Sequence, residues 1–250
     1  MMHTPRTIST VLLLFALGLT GCTTLSPAES QPIEGSGTLA EETRPIGDVT
    51  AVELAMPGTL HIELGAASSL RISAEDNLLE RIETEAPLGG GELVIQTSPG
   101  VSLLPREPID YYLTVTGVDT LIVSSSGDVE APDLVAPHFS VTISSSGNVS
   151  VRSLQAETLD VELSSSGNLI IAGGQVGRQE ISLSSSGSYM AKDIASLEAQ
   201  ADLSSSGSAT IRVQESLRVS LSSSGTLYYI GSPELQVDVS SSGKAVQIEG

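Results

Sequence analysis

The 250-residue chain has no tryptophan, two phenylalanines and five tyrosines, so its core has to be built from Val, Ile, Leu and Ala. That palette suits stacked sheets better than an aromatic-lined pocket. Cysteine is almost missing too: Cys22 is the single one, which excludes an internal disulfide. Histidine is confined to His3, His61 and His138, and the last two stand in no metal-ligand spacing such as His-Glu-x-x-His. Both are read as surface residues. Positive charge is scarce, with 11 Lys and Arg against 30 Asp and Glu. So acidic a surface is repelled by nucleic acid and by anionic lipid headgroups, which removes both as direct docking partners. No Gly-x-Ser-x-Gly elbow occurs despite the many serines, because Ser-Ser-Ser-Gly lacks the leading glycine. Nothing in the chain calls for a cofactor.

Long hydrophobic runs are also lacking. The apolar stretch from Ile8 to Leu19 is too short to span a bilayer, which takes roughly 20 residues, but it suits the core of a signal peptide behind Arg6. It ends in Leu19-Thr20-Gly21-Cys22, which resembles the lipobox of bacterial lipoproteins. Residues 1–21 are therefore expected to be a cleaved signal peptide. Cys22 would then carry palmitate-type acyl chains, and two or more such chains hold a protein on a membrane. Cleavage removes Arg6 and no acid, leaving 10 basic against 30 acidic residues, a net charge of −20. Residues 22–44, rich in Ser, Thr, Pro, Gly and Glu, read as a disordered tether.

What the chain has in abundance is one tetrapeptide. Ser-Ser-Ser-Gly occurs seven times, its glycines at 127, 147, 167, 187, 207, 225 and 243. A period of 18 to 20 residues marks a solenoid in which each unit buries its apolar side against its neighbours. Five, three and one residues before the motif lie apolar triplets such as Leu159, Val161, Leu163 and Leu217, Val219, Leu221. Period two puts each triplet on one face of a strand. A second short strand follows the glycine, with Leu169 and Ile171 or Ala209 and Ile211, and a third apolar column comes later: Leu134, Leu154, Ile194, Val213, Ile230 and Ile248, with Val176 filling in for the middle unit. One straight strand of this length would not fit a 20-residue coil, so the chain must bend at Ser-Ser-Ser-Gly. The expected fold is all-β: a single-stranded parallel β-helix over 118–250, right-handed by the usual chirality of parallel crossovers, with about seven rungs of 18 to 20 residues. Residues 45–117 are not repetitive. Their alternating runs, such as Leu60-His61-Ile62-Glu63-Leu64, read as a β-rich segment that caps the first rung.

The middle serines (Ser125, Ser145, Ser165, Ser185, Ser205, Ser223, Ser241) continue the inward phase. They are expected to hydrogen-bond along an inner corner, with the next glycine supplying a φ that other residues resist. The competing reading makes the outer hydroxyls a flat array for a regular ligand such as a glycan. After each glycine stand Asp128, Asn148, Asn168, Ser188, Ser208, Thr226 and Lys244, a column that turn chemistry accounts for.

Outward carboxylates form the one candidate ligand strip: Asp160, Glu162, Glu180 and Asp202. Stacking should set Asp160 beside Glu180 on adjacent rungs. Such a strip could bind Ca²⁺ or serve a carbohydrate-active enzyme as general acid and base, yet of the cations an anionic sugar needs, only Arg218 is expected beside it. A solvated acidic face is the plain alternative.

Ala74-Glu75-Asp76-Asn77-Leu78-Leu79, then Ile82-Glu83-Thr84-Glu85, Gly91-Glu92-Leu93-Val94-Ile95 and the Ser-Gly-Asp/Asn repeats from Ser125-Ser126-Gly127-Asp128-Val129 onward, resemble the head GIN domain family of auto-transporter adhesins. The resemblance covers about residues 46–250. It implies an exported β-helical protein, often a lipoprotein, with no established activity. The expected function is that of an envelope-anchored lipoprotein, at the outer membrane or cell surface of a bacterium, acting as a non-catalytic binding, adhesion or structural module. Its ligand would be a glycan or a protein, and the last rung makes a homo-oligomer a further expectation. The carbohydrate-active enzyme is the alternative.

Overall fold

The computed structural model describes residues 32–86 and 90–250. The predicted signal peptide and Cys22 lie outside the described residues. In chain order the elements are β1 (Ile33–Glu34), β2 (Leu39–Arg44), β3 (Val49–Leu54), β4 (Thr59–Leu64), β5 (Ser69–Glu75), α1 (Asp76–Leu79), β6 (Ile82–Glu85), β7 (Gly91–Thr97), β8 (Leu103–Leu104), β9 (Asp110–Val115) and β10 (Thr120–Val123). The repeats supply β11 (Asp128–Ile143), β12 (Asn148–Leu163), β13 (Asn168–Ile171), β14 (Gly174–Leu183), β15 (Ser188–Leu203), β16 (Ser208–Leu221), β17 (Thr226–Ile230), β18 (Glu234–Val239) and β19 (Lys244–Gln247).

The chain is all-β, and its repeats stack as a parallel β-solenoid in the register that the period predicts. On the first face Ile95, Leu54, Val123, Ile143, Leu163, Leu183, Leu203, Leu221 and Val239 pair in succession. On the second, Tyr111, Leu60, Val129, Val149, Leu169, Tyr189, Ala209, Leu227 and Ala245 do the same. From Ile95 to Leu221 and from Tyr111 to Leu227 these residues are buried, each large one contributing about 1.5–3 kcal/mol through the area it removes from water. β11 runs on through 16 residues because it bends without breaking, and pairs with β12 at all of them but Pro132 and Pro137. Its buried residues run Val129, Ala131, then Leu134, Ala136, then Phe139, Val141, Ile143. At the two corners the inward spacing slips from two residues to three.

The segment 45–117 does more than cap. β3 and β4 pair in parallel with β10 and β11, so they form a rung directly beneath the repeats, with no break at 117/118. β7 and β9 form the rung below that. Antiparallel strands then close the lower end: β6 under β7, and β5 with β2 under β9. An antiparallel strand ends a parallel stack by leaving no matching register for another rung.

Three expectations need correction. The tether predicted over 22–44 does not extend to Arg44, since β1 pairs with β8 and β2 with β5. A clamp made by the Glu75-Asp76-Asn77 signature holds this segment down. The Glu75 carboxylate accepts from the main-chain N–H groups of Gly37 (2.6 Å) and Arg106 (2.9 Å), Asn77 Oδ1 accepts from the Ser36 N–H, and Asn77 Nδ2 donates to the Glu34 carbonyl at 2.8 Å. Glu75 has no accessible surface but lies shallowly, beneath the loop of Gly35 and Gly37. Its burial opposes ionisation, but the N–H groups of Arg106, Gly37 and Glu107 and the charge of Arg106 outweigh it and hold the carboxyl below its usual range.

The motif glycines are the second correction. None has a positive φ; that conformation occurs at Gly58, Gly174 and Gly231, among others. The motif needs glycine because adjacent rungs touch at this corner. A Cβ on Gly207 would stand 2.7 Å from the Gly187 carbonyl oxygen, and one on Gly147 would run into the carbonyl of Gly127. The middle serines are half-buried, except Ser241, which is exposed, and no side-chain hydrogen bond links them to one another; the Ser125 hydroxyl is enclosed without a partner. Main-chain bonds close the corner instead, as from the Ser144 N–H to the Val123 carbonyl at 3.0 Å.

Third, Val176 does not fill the Leu134–Leu154 column. That slot falls to Gly174, whose Cβ would meet the Leu154 main chain, while Val176 stacks on Ala156 and Ser196.

Candidate functional site

On the outside of the first face the predicted carboxylates take up two columns. Ser140, Asp160, Glu180, Gln200, Arg218 and Gln236 pair in one, and Thr142, Glu162, Ser182, Asp202, Ser220 and Asp238 in the next. Asp160 and Glu180 are therefore neighbours across one rung step, whereas Ser182 separates Glu162 from Asp202. The lower part of both columns, from Ser140 and Thr142 up to Gln200 and Asp202, lines a shallow depression of about 270 Å³. Arg218 takes its expected place in the first column, and Arg178, absent from the predicted strip, joins it. Its guanidinium reaches Glu180 at 2.9 Å and Glu198 at 3.8 Å. Among the described residues no group of three or more His, Cys, Asp and Glu is arranged to hold a metal ion.

The second face carries a different ladder on its exterior. From the lower end upward, Thr43, Arg71, Tyr112, His61, Glu130, Ser150, Ile170, Met190, Thr210, Tyr228 and Val246 pair in one line. Its lower half is polar and tied together. His61 stacks on Tyr112 with centroids 5.1 Å apart, Arg71 lies 3.9 Å over the same ring, and the His61 ring nitrogens stand 3.2 Å from Asp110 and 3.1 Å from Glu130. The upper half is apolar apart from Thr210, and uncovered: Ile170 is 39% exposed, Met190 41% and Tyr228 37%. Lys192 and Arg212 flank it on the same face, two residues beyond Met190 and Thr210. The outward phase of these residues is readable in the repeat, but only stacking successive units shows that they adjoin.

Beside this line runs the column after the motif glycines. Its residues do not adopt left-handed turns, because among the described residues only glycines have a positive φ. They bond from rung to rung instead, Asn148 Nδ2 to Asp128 and Asn168 Nδ2 to Asn148, both at 2.8 Å.

Solved structures share this architecture. A structure described as a putative adhesin from Bacteroides fragilis is 17% identical, with a TM-score of 0.77 over 87% of this chain and 100% of its own. One from Parabacteroides distasonis described as a putative lipid binding protein is 20% identical, with a TM-score of 0.73 over the same shares. A putative adhesin from Parabacteroides merdae is 16% identical, with a TM-score of 0.66 over 88% of this chain and 100% of its own. No curated protein matches this chain at a significant level. Residues 48–233 match the family described as "Putative auto-transporter adhesin, head GIN domain", and the chain belongs to that family.

Proposed function

We propose that the protein is an envelope-anchored lipoprotein, acylated at Cys22, that works as a non-catalytic adhesin-like module and grips a protein partner through the upper half of the second-face ladder. The adhesin descriptions of the family and of two solved relatives support the class. One observation carries the surface: Ile170, Met190 and Tyr228 stand exposed in one line, with Thr210 between the last two, whereas the other large apolar side chains exposed below β18, among them Leu64, Leu104 and Val135, do not share a line with one another. Contiguous apolar surface rimmed by polar groups marks an interaction site. Ile and Met give little to a sugar, whose recognition wants aromatic platforms and hydrogen-bonding groups, and Tyr228 is the one aromatic of the strip. A protein is the better fit. Lys192 and Arg212 would favour acidic residues at its rim.

Beads coated with the soluble chain test this reading on cultured cells. Adhesion should vanish after protease treatment of the cells and survive glycosidase treatment. Loss with glycosidase alone would make the ligand a glycan, and released oligosaccharide would make the protein an enzyme.

A further inference from the structure

The top of the rod presents the same inward columns as every rung below it, but without cover. Leu217, Val219 and Leu221 on β16 are each 1% exposed, whereas their partners on β18, Leu235, Val237 and Val239, are 42%, 39% and 44% exposed. Among the described residues β18 pairs only with β16, so its other edge is free. Such an edge is a template for another strand.

We propose that β18 pairs with β18 of a second copy, antiparallel about a two-fold axis through Val237, to give a closed tail-to-tail dimer. Pairing that keeps apolar residues inside must set odd-numbered positions opposite odd-numbered ones. Three central registers do so. Centring between Gln236 residues opposes Glu234 to Asp238, and centring on Asp238 opposes the two Asp238 side chains to each other. Centring on Val237 opposes no carboxylates: Gln236 faces Asp238, Glu234 faces Ser240, and Leu235 faces Val239. Like charges directly opposite destabilise a strand pair, whereas an amide can donate to a carboxylate, so this register is selected.

Head-to-tail growth is opposed at the other end. There β6 is the outer strand of the first face and carries Glu83 and Glu85. Stacked on β18, which lies on the same face, it would set them against Glu234 and Asp238. The isologous contact therefore closes as a dimer and does not run on as a fibre.

The chain from residue 32 onward holds every described strand and the core they enclose, and is the form to test. Sedimentation at micromolar concentration should give twice the monomer mass. Val237→Lys, which sets two ammonium groups face to face, should give a monomer with unchanged circular dichroism. Under mild oxidation Val237→Cys should link to itself, while Leu235→Cys should link to Val239→Cys in a mixture but not to itself. A monomeric parent, a dimer indifferent to Val237→Lys, or self-linking of Leu235→Cys would each overturn the proposal.

Discussion

The Tyr189 hydroxyl donates a 2.7 Å hydrogen bond to Gln179 Oε1 inside the rod, in the two slots that other units fill with Leu169 or Ala209 and with Phe139, Leu159, Ala199 or Leu217. Burial pushes the Tyr189 phenol up, far from any physiological ionisation. The Gln179 Nε2 is buried with no partner. Tyr189→Phe would leave the oxygen of Gln179 unpaired as well and should cost about 1–3 kcal/mol. Adding Gln179→Leu should restore stability to the parental level or above it, since a whole polar pair is exchanged for apolar groups of similar volume. Denaturant midpoints decide this, and a double variant no better than Tyr189→Phe would contradict it.

Gly147→Ala should destabilise by about 1–3 kcal/mol, the usual cost of overpacking, because its Cβ meets the Gly127 carbonyl. Gly147→Asn should be no milder. If a left-handed backbone were the reason for glycine, asparagine would be clearly the better tolerated of the two, and thermal unfolding separates the cases.

Glu75 supplies a pH dependence. Its folded-state pKa lies below the unfolded value, so its contribution is complete above the ordinary carboxylate range and drains away as pH falls through the folded value. Glu75→Gln should lower the melting temperature at neutral pH, and the gap to the parent should narrow below about pH 4, near the ordinary glutamate pKa. A gap that widens in acid would reverse the assignment. The same variant should make residues 34–38 sensitive to proteolysis.

Cys22→Ala should abolish incorporation of labelled palmitate and leave the precursor uncleaved or released from the membrane. Equal labelling of the variant would remove the lipoprotein reading.

The parts visible in the sequence were those that repeat. Leu163 could be placed inward, and Asp160 beside Glu180, because every unit restates the same phase. Gln179 was not legible, since a lone polar residue in an apolar slot is recognised only through its partner Tyr189 on the next rung. The fold of residues 33–44 was hidden for a similar reason: its anchors, Glu75 and Asn77, lie about 40 residues away, and β2 buries too little to show an apolar pattern. The motif glycines were conspicuous, yet a sequence does not say whether a glycine serves its own backbone or a neighbour's carbonyl. Ile170, Met190 and Tyr228 are separate outward residues until their rungs are stacked.

Cell adhesion of coated beads, compared between the parent chain and two double variants, tests the proposed binding surface most directly. Met190→Glu with Tyr228→Glu places charge on the exposed ladder without entering the core, and adhesion should fall by at least about tenfold, equivalent to roughly 1.4 kcal/mol. Asp160→Asn with Glu180→Gln should adhere like the parent. Full adhesion by the ladder variant, with loss in the carboxylate variant, would contradict the account and move the site to the first face.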